Sequence, residues 1–280
     1  MAGRPRLSTV AAYLLSGSLV LLLVLPLLAL IFATSPADLA ASARDGGARS
    51  AAAFTLYASG VALGIGLLTG VPLGYLLARR NFPGKVVLSS VVTLPIALPH
   101  LVAGLALFLL FAPDSPIGAL SDRLGLAVLD GIWGVVLVMV YVSVPYLVLA
   151  SEIAFRGIDP AVQETARTLG ADPATVFWTV TLPLALRGIV AGSILSWARS
   201  VSEIGGFLIV ASVVYPSAAY PGPATVPISL YIYGRFQLGD TAGAVAASVW
   251  ILLAAFALFV VVRYFERRGA LPWGPGALAR

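Results

Sequence analysis

The chain of 280 residues has no cysteine, one histidine (His100) and two methionines. Without cysteine there is neither a disulfide framework nor a cysteine-based metal site. A single histidine excludes a histidine-rich metal centre and a bis-histidine haem. Charge is also scarce: only 10% of the residues are Asp, Glu, Lys or Arg, against about a quarter in a soluble domain. A solvent-facing surface cannot be made from so few charges, so lipid must cover much of it. Recognisable catalytic patterns are missing as well. Gly84-Lys85 has Arg79 where a GxxxxGK[ST] phosphate loop needs its first glycine. There is no HExxH, no GxSxG and no pair of intramembrane aspartates.

What the chain has instead is apolar length: 60% hydrophobic residues and a mean hydropathy of +0.99. A membrane span needs about 20 mostly apolar residues. Six runs meet that requirement, at 10–33, 54–78, 86–112, 131–151, 188–211 and 241–263. The expected fold is therefore an all-α integral membrane bundle of about six transmembrane helices in one domain, 1–280. Arg4 and Arg6 precede the first run, as in a signal peptide. Its apolar stretch is about twice the usual signal core and no clear small-residue cleavage site follows, so it reads as a retained helix.

Orientation follows from Lys and Arg, which concentrate on the cytoplasmic side. Arg4, Arg6, Arg79, Arg80, Lys85, Arg156, Arg167, Arg187, Arg263, Arg267, Arg268 and Arg280 fall on one side, 12 in all. Arg44, Arg49, Arg123 and Arg235 fall on the other, with six aspartates. The first side is cytoplasmic, which puts both termini inside. The net charge of +5 thus reads as topology rather than as a nucleic-acid surface.

Two spans carry special residues. In the second, Gly60 and Gly64, then Gly66, Gly70 and Gly74, form small ridges that let helices approach closely, within one bundle or between subunits. In the third, Pro95 and Pro99 lie within TLPIALPHLVAG. Each removes a backbone hydrogen bond that lipid cannot replace, so this stretch should face protein or a watery cavity. His100, beside them, either lines that cavity or donates a hydrogen bond to a carbonyl the prolines free.

The longest cytoplasmic connection, 152–187, reads EIAFRGIDPAVQETARTLGADPATVFWTVTLPLALR. Asp159-Pro160 and Asp172-Pro173 are two helix starts, each a capping carboxylate before a proline suited to the first turn. Gly170 lies where a left-handed C-terminal cap belongs, and Pro183 precedes re-entry into the membrane. The expectation is a helix–glycine–helix knuckle. Its first helix exposes Ala161, Ala166 and Leu169, which suits docking into a groove on another protein.

Glu164-Thr165-Ala166, three residues, Gly170, nine residues and Val180-Thr181-Leu182-Pro183 resemble the EAA loop of ABC importer permeases. That pattern is Glu-Ala-Ala, a spacer, Gly, a longer spacer, then Ile-x-Leu-Pro. Thr165 and Val180 are the departures. The resemblance covers roughly 54–265. TLPIALPHLVAGLALFLLF and WARSVSEIGGFLIVA are similar to the third and fifth spans of the branch that imports molybdate, tungstate and sulfate, and YPGPATVPISLYIYGRF also suits its molybdate and tungstate members. His100 departs from the second proline of many relatives.

The resemblance implies a type I importer permease bundle with Glu164, Thr165, Ala166, Gly170 and Pro183 in the ATPase-coupling loop. It implies a homodimer, two ATP-binding cassette subunits that carry ATP and magnesium, an external solute-binding protein, and no cofactor in this chain. The expected cargo is tungstate or molybdate; sulfate, a polyamine, ferric iron or thiamine are alternatives, as is an ion-driven secondary transporter. The segment 269–280 reads as too short for a regulatory domain. Arg199 and Glu203 lie about 16 Å and 22 Å into the fifth span by helical rise. Spaced four apart, they either lock the bundle as an ion pair or line the path or its gate, with Arg199 offering positive potential to an anion.

Overall fold

The computed structural model describes residues 7–126 and 128–268. Arg4, Arg6 and Arg280, used above for orientation, lie outside them. The chain is a string of helices: α1 (Leu7–Phe32), α2 (Pro36–Arg44), α3 (Gly46–Arg79), α4 (Lys85–Ala97), α5 (His100–Phe111), α6 (Pro116–Arg123), α7 (Ile132–Arg156), α8 (Pro160–Thr168), α9 (Pro173–Val176), α10 (Leu182–Val201), α11 (Gly205–Val210), α12 (Ile228–Gln237) and α13 (Thr241–Arg268). Among the described residues, five stretches are long and apolar enough to cross a membrane, six if the bent pair α4–α5 is one span.

The centre is α7, packed between α3 and α10. Val135, Val138, Met139 and Leu147 of α7 are fully buried. The glycine ridge of α3 proves to be intrachain packing: a Cβ on Gly74 would stand 2.7 Å from Ser151 Cβ and 2.9 Å from the Val148 carbonyl. Gly60 and Gly64 meet nothing within 4 Å, so they are outside that contact. By contrast α1 is unburied along its apolar length from Ala11 to Phe32, which suits lipid or another subunit.

Several expected bounds shift. The second span runs from Gly46 rather than Phe54, and the fourth continues to Arg156. The third is not one helix: α4 and α5 meet at 116° across Leu98 and Pro99, because Pro99 cannot continue the helical hydrogen bonds. The fifth begins earlier than expected. From Pro173 a helix runs through a π-helical turn, Phe177–Thr181, into α10 and ends at Val201. Ser202, Glu203 and Ile204 are non-helical before α11. The connection outside the long helices is therefore shorter than 152–187. Its first five residues belong to α7, and its second short helix is the start of a span.

At the end opposite the knuckle, Ser35 and Ser115 cap α2 and α6, each before a proline. α12 is anchored at both ends. Its first turn is tied to α3 by the Ile228 N–H on Thr55 Oγ1 (2.8 Å) and to the α10–α11 break by Ser229 Oγ on the Glu203 carbonyl (2.6 Å). Near its last turn, Arg235 pairs with Asp45, the N-cap of α3, at 2.6 Å and with Asp240 ahead of α13.

Candidate coupling and translocation sites

The knuckle is built by local chemistry. Asp159 accepts the Ala161 N–H (2.9 Å), and Asp172 accepts those of Ala174 (2.8 Å) and Thr175 (3.0 Å). Gly170 has φ +90°. Its N–H bonds to the Arg167 carbonyl (2.9 Å) while that of Ala171 bonds to the Ala166 carbonyl (3.2 Å). These are the paired bonds of a Schellman cap, which needs a residue that tolerates the left-handed region. Asp172 is held below the usual carboxylate range, chiefly by the Thr175 N–H.

Four of the five coupling candidates lie together on this projection. Glu164, Thr165 and Gly170 are exposed. Ala166 is half-buried rather than exposed, because α8 leans back on the π turn, where Gln163 Nε2 donates to Thr181 Oγ1 (3.1 Å). The Thr165 hydroxyl donates to the Ala161 carbonyl (2.9 Å), so threonine satisfies its polar group within its own helix. Pro183 sits in the first turn of α10, apart from the exposed face of α8. Val162 and Leu169 near α8 and Trp178 of the π turn, 66% exposed, are exposed apolar side chains of this segment.

The base of the projection is fastened to the bundle. Phe177, ahead of Trp178, lies edge-on to Tyr75 of α3, which lies edge-on to Phe155 of α7, with both centroid distances 5.1 Å. Arg79 Nη2 donates to the Ile158 carbonyl (3.0 Å). These contacts join the base of the projection to α3 and α7.

The second group lies where two broken spans meet. His100, Arg199 and Glu203 do come together, across 99 residues of chain. Arg199 Nη2 donates to Glu203 Oε2 (2.9 Å) and contacts His100 Nε2 (2.7 Å). His100 Nδ1 lies 3.4 Å from Glu203 Oε2. A guanidinium only donates, so Nε2 accepts and the ring proton sits on Nδ1, facing the carboxylate. His100 therefore makes no bond to a proline-freed carbonyl; Arg199 and Glu203 take both ring nitrogens. Glu203 is fully buried, and its Oε1 accepts the Gly206 N–H (2.8 Å). It is not on the same helix as Arg199, since α10 ends between them, yet the pair still closes.

The approach is set by small residues. A Cβ on Gly205 would stand 2.7 Å from His100 Cβ, and one on Gly104 would stand 2.8 Å from Gly206 Cα. Trp197 Nε1 on Ser59 Oγ (3.0 Å) and Ser196 Oγ on the Ser143 carbonyl (2.9 Å) fasten the end of α10 to α3 and α7.

A helical bundle with an outward, capped knuckle and an ion pair and histidine gathered at two broken spans suits a transport permease. The chain belongs to the family of binding-protein-dependent transport system inner membrane components, whose model matches residues 70–270. It is 36% identical over 215 residues to the molybdate/tungstate transport system permease protein of Pyrococcus furiosus, covering 77% of each chain. It is 34% identical over 260 residues to the probable molybdenum ABC transporter permease protein of Haloferax volcanii, covering 93% of this chain and 90% of that one. Its fold is similar to a chain of the bacterial alginate ABC transporter in complex with an alginate pentasaccharide-bound periplasmic protein. The TM-score is 0.71, with 18% identity, over 92% of this chain and 94% of that one.

The chain is accordingly a multi-pass permease subunit of an ABC transporter in the cell membrane, not an enzyme. ATP is hydrolysed by a separate subunit, and a substrate-binding protein is its other partner.

Proposed function

We propose that this permease pairs with a second copy of itself to form the path of an importer for a tetrahedral oxyanion, tungstate or molybdate before sulfate. The observation that carries the cargo is the 34–36% identity, over most of the chain, to permeases named for molybdate and tungstate. Two ATPase subunits, holding ATP and magnesium, dock on the knuckles; this chain binds no cofactor. Glu164, Thr165, Ala166 and Gly170 form the docked surface, with Leu169 and Trp178 as its apolar contacts. Pro183 marks where that motion passes into α10. Closure of the ATPase pair displaces α8, and the Phe177–Tyr75–Phe155 contacts convert that shift into rotation of the bundle. His100, Arg199 and Glu203 line the path or its gate.

The test is uptake of labelled tungstate, molybdate and sulfate by cells that express the chain with its binding protein and ATPase. Accumulation of one oxyanion, absent with a hydrolysis-dead ATPase, supports the reading. An assembled complex that accumulates none of the three overturns the cargo.

A further inference from the structure

Two spans are interrupted, at Leu98–Pro99 and at Ser202–Ile204, and the interruptions touch where Gly205 faces His100. Interrupted backbone and ionisable side chains are stable in a membrane only against protein or water. The Glu203 side chain is fully enclosed, that of Arg199 is 16% exposed and that of His100 is 49% exposed. Ser202, between the charged pair, is exposed as well. Such a polar opening is stable against water or protein rather than against hydrocarbon.

The charges are arranged unequally. Glu203 commits both oxygens, one to the Gly206 N–H and one to Arg199 and His100. Arg199 makes both of its contacts through Nη2, so Nη1 and Nε take no part in them. An arginine with a free edge recognises tetrahedral oxyanions well. An uncompensated one in a low-dielectric passage would hold a dianion too tightly, and transport requires a site weak enough to leave.

We propose that Arg199 is the oxyanion-contacting group of the path and Glu203 its built-in counter-charge. Glu203 keeps the net charge of the pair at zero and so keeps the hold on the anion weak. His100 is a positioning residue that occupies one Nη2 hydrogen and turns the remaining N–H groups of Arg199 toward the opening. This inference rests on the oxyanion reading above and adds where, and how strongly, the permease itself touches its cargo.

The test uses the complete complex with its ATPase and binding protein, and labelled tungstate as probe. Wild-type accumulation comes first; if it is absent, the oxyanion reading fails and this inference falls with it. Given wild-type accumulation, Glu203→Gln keeps the side-chain size and the bond to Gly206 while removing the counter-charge. The E203Q complex should retain roughly tenfold more tungstate than wild type after free anion is removed, and turn over roughly tenfold more slowly. Adding Arg199→Gln should abolish the extra retention, which a merely structural defect would not do. Retention equal to wild type, or retention that survives R199Q, overturns the proposal.

Should E203Q not assemble, Ser202→Cys leaves the three side chains intact and supplies the only thiol of this chain. That thiol should react with a charged, water-soluble reagent, and tungstate, but not chloride, should slow the reaction severalfold. No reaction, or no protection, overturns the proposal equally.

Discussion

Replacing Arg199 by alanine strands a carboxylate. Glu203 is fully buried, and among the described residues the guanidinium at 2.9 Å is its one close cationic partner. Removing one member of a buried pair costs about 3–5 kcal/mol, because the remaining charge is left without compensation. The lower end applies here: Oε1 keeps the Gly206 N–H at 2.8 Å, and the His100 ring remains 3.4 Å from Oε2. At about 2–4 °C per kcal/mol for a chain of this size, a loss of about 3 kcal/mol lowers Tm by roughly 6–12 °C. The assay is thermal denaturation of the purified complex in detergent, read beside membrane yield. The double variant R199A/E203Q separates a stranded charge from lost packing. It deletes the same arginine atoms but leaves a neutral amide that still accepts the Gly206 N–H, so it should recover much of the loss. If the double variant is as unstable as R199A alone, the stranded charge is not the cause and the electrostatic reasoning fails.

Gly170→Glu should leave the permease in the membrane but weaken ATPase co-purification, since φ +90° at the cap costs a side chain about 1–2 kcal/mol and distorts the α8 end; undiminished co-purification would refute the coupling role. Gly74→Leu should cut folded yield by forcing α3 off Ser151 and Val148, an overpacking cost of about 1–3 kcal/mol, and normal yield with unchanged Tm would refute the ridge contact. Asp45 and Asp240 are both held below the ordinary aspartate range, first by the N–H groups of Ala48 and Gly243 and further by Arg235. A depressed folded pKa stabilises above the unfolded value near ~3.9 and the benefit is lost as pH falls through the lower folded value. Arg235→Gln should therefore lower Tm by a few degrees at neutral pH, and the gap to wild type should narrow below about pH 4; a gap independent of pH would show that Arg235 does not act through these carboxylates.

What was legible in the sequence was local. The apolar runs located the long helices because burial in lipid depends on composition over about 20 residues. The Asp-Pro pairs and Gly170 located the knuckle because caps act within a few residues. The same logic applied at Ser35-Pro36 and Ser115-Pro116 would have found α2 and α6, which hydropathy alone hides. The limits of the fifth span were less legible. Asp172-Pro173 starts a helix that a π turn carries past Pro183, and no proline marks its end at Val201; only Gly205-Gly206 hints at the break. Proline did flag the break in the third span, but not the size of its 116° turn, after which α5 packs against α11. Least legible was His100. Its partners are 99 and 103 positions away, and only the crossing of the two breaks puts both ring nitrogens on the charged pair rather than on a backbone carbonyl.

The most direct measurement places the purified permease with its ATPase in liposomes, adds the binding protein outside, and follows labelled tungstate together with ATP hydrolysis. The account predicts accumulation that requires both internal ATP and the binding protein, and that persists when a protonophore collapses the proton gradient. Accumulation that continues without ATP hydrolysis, or that the protonophore abolishes while hydrolysis proceeds, would contradict it.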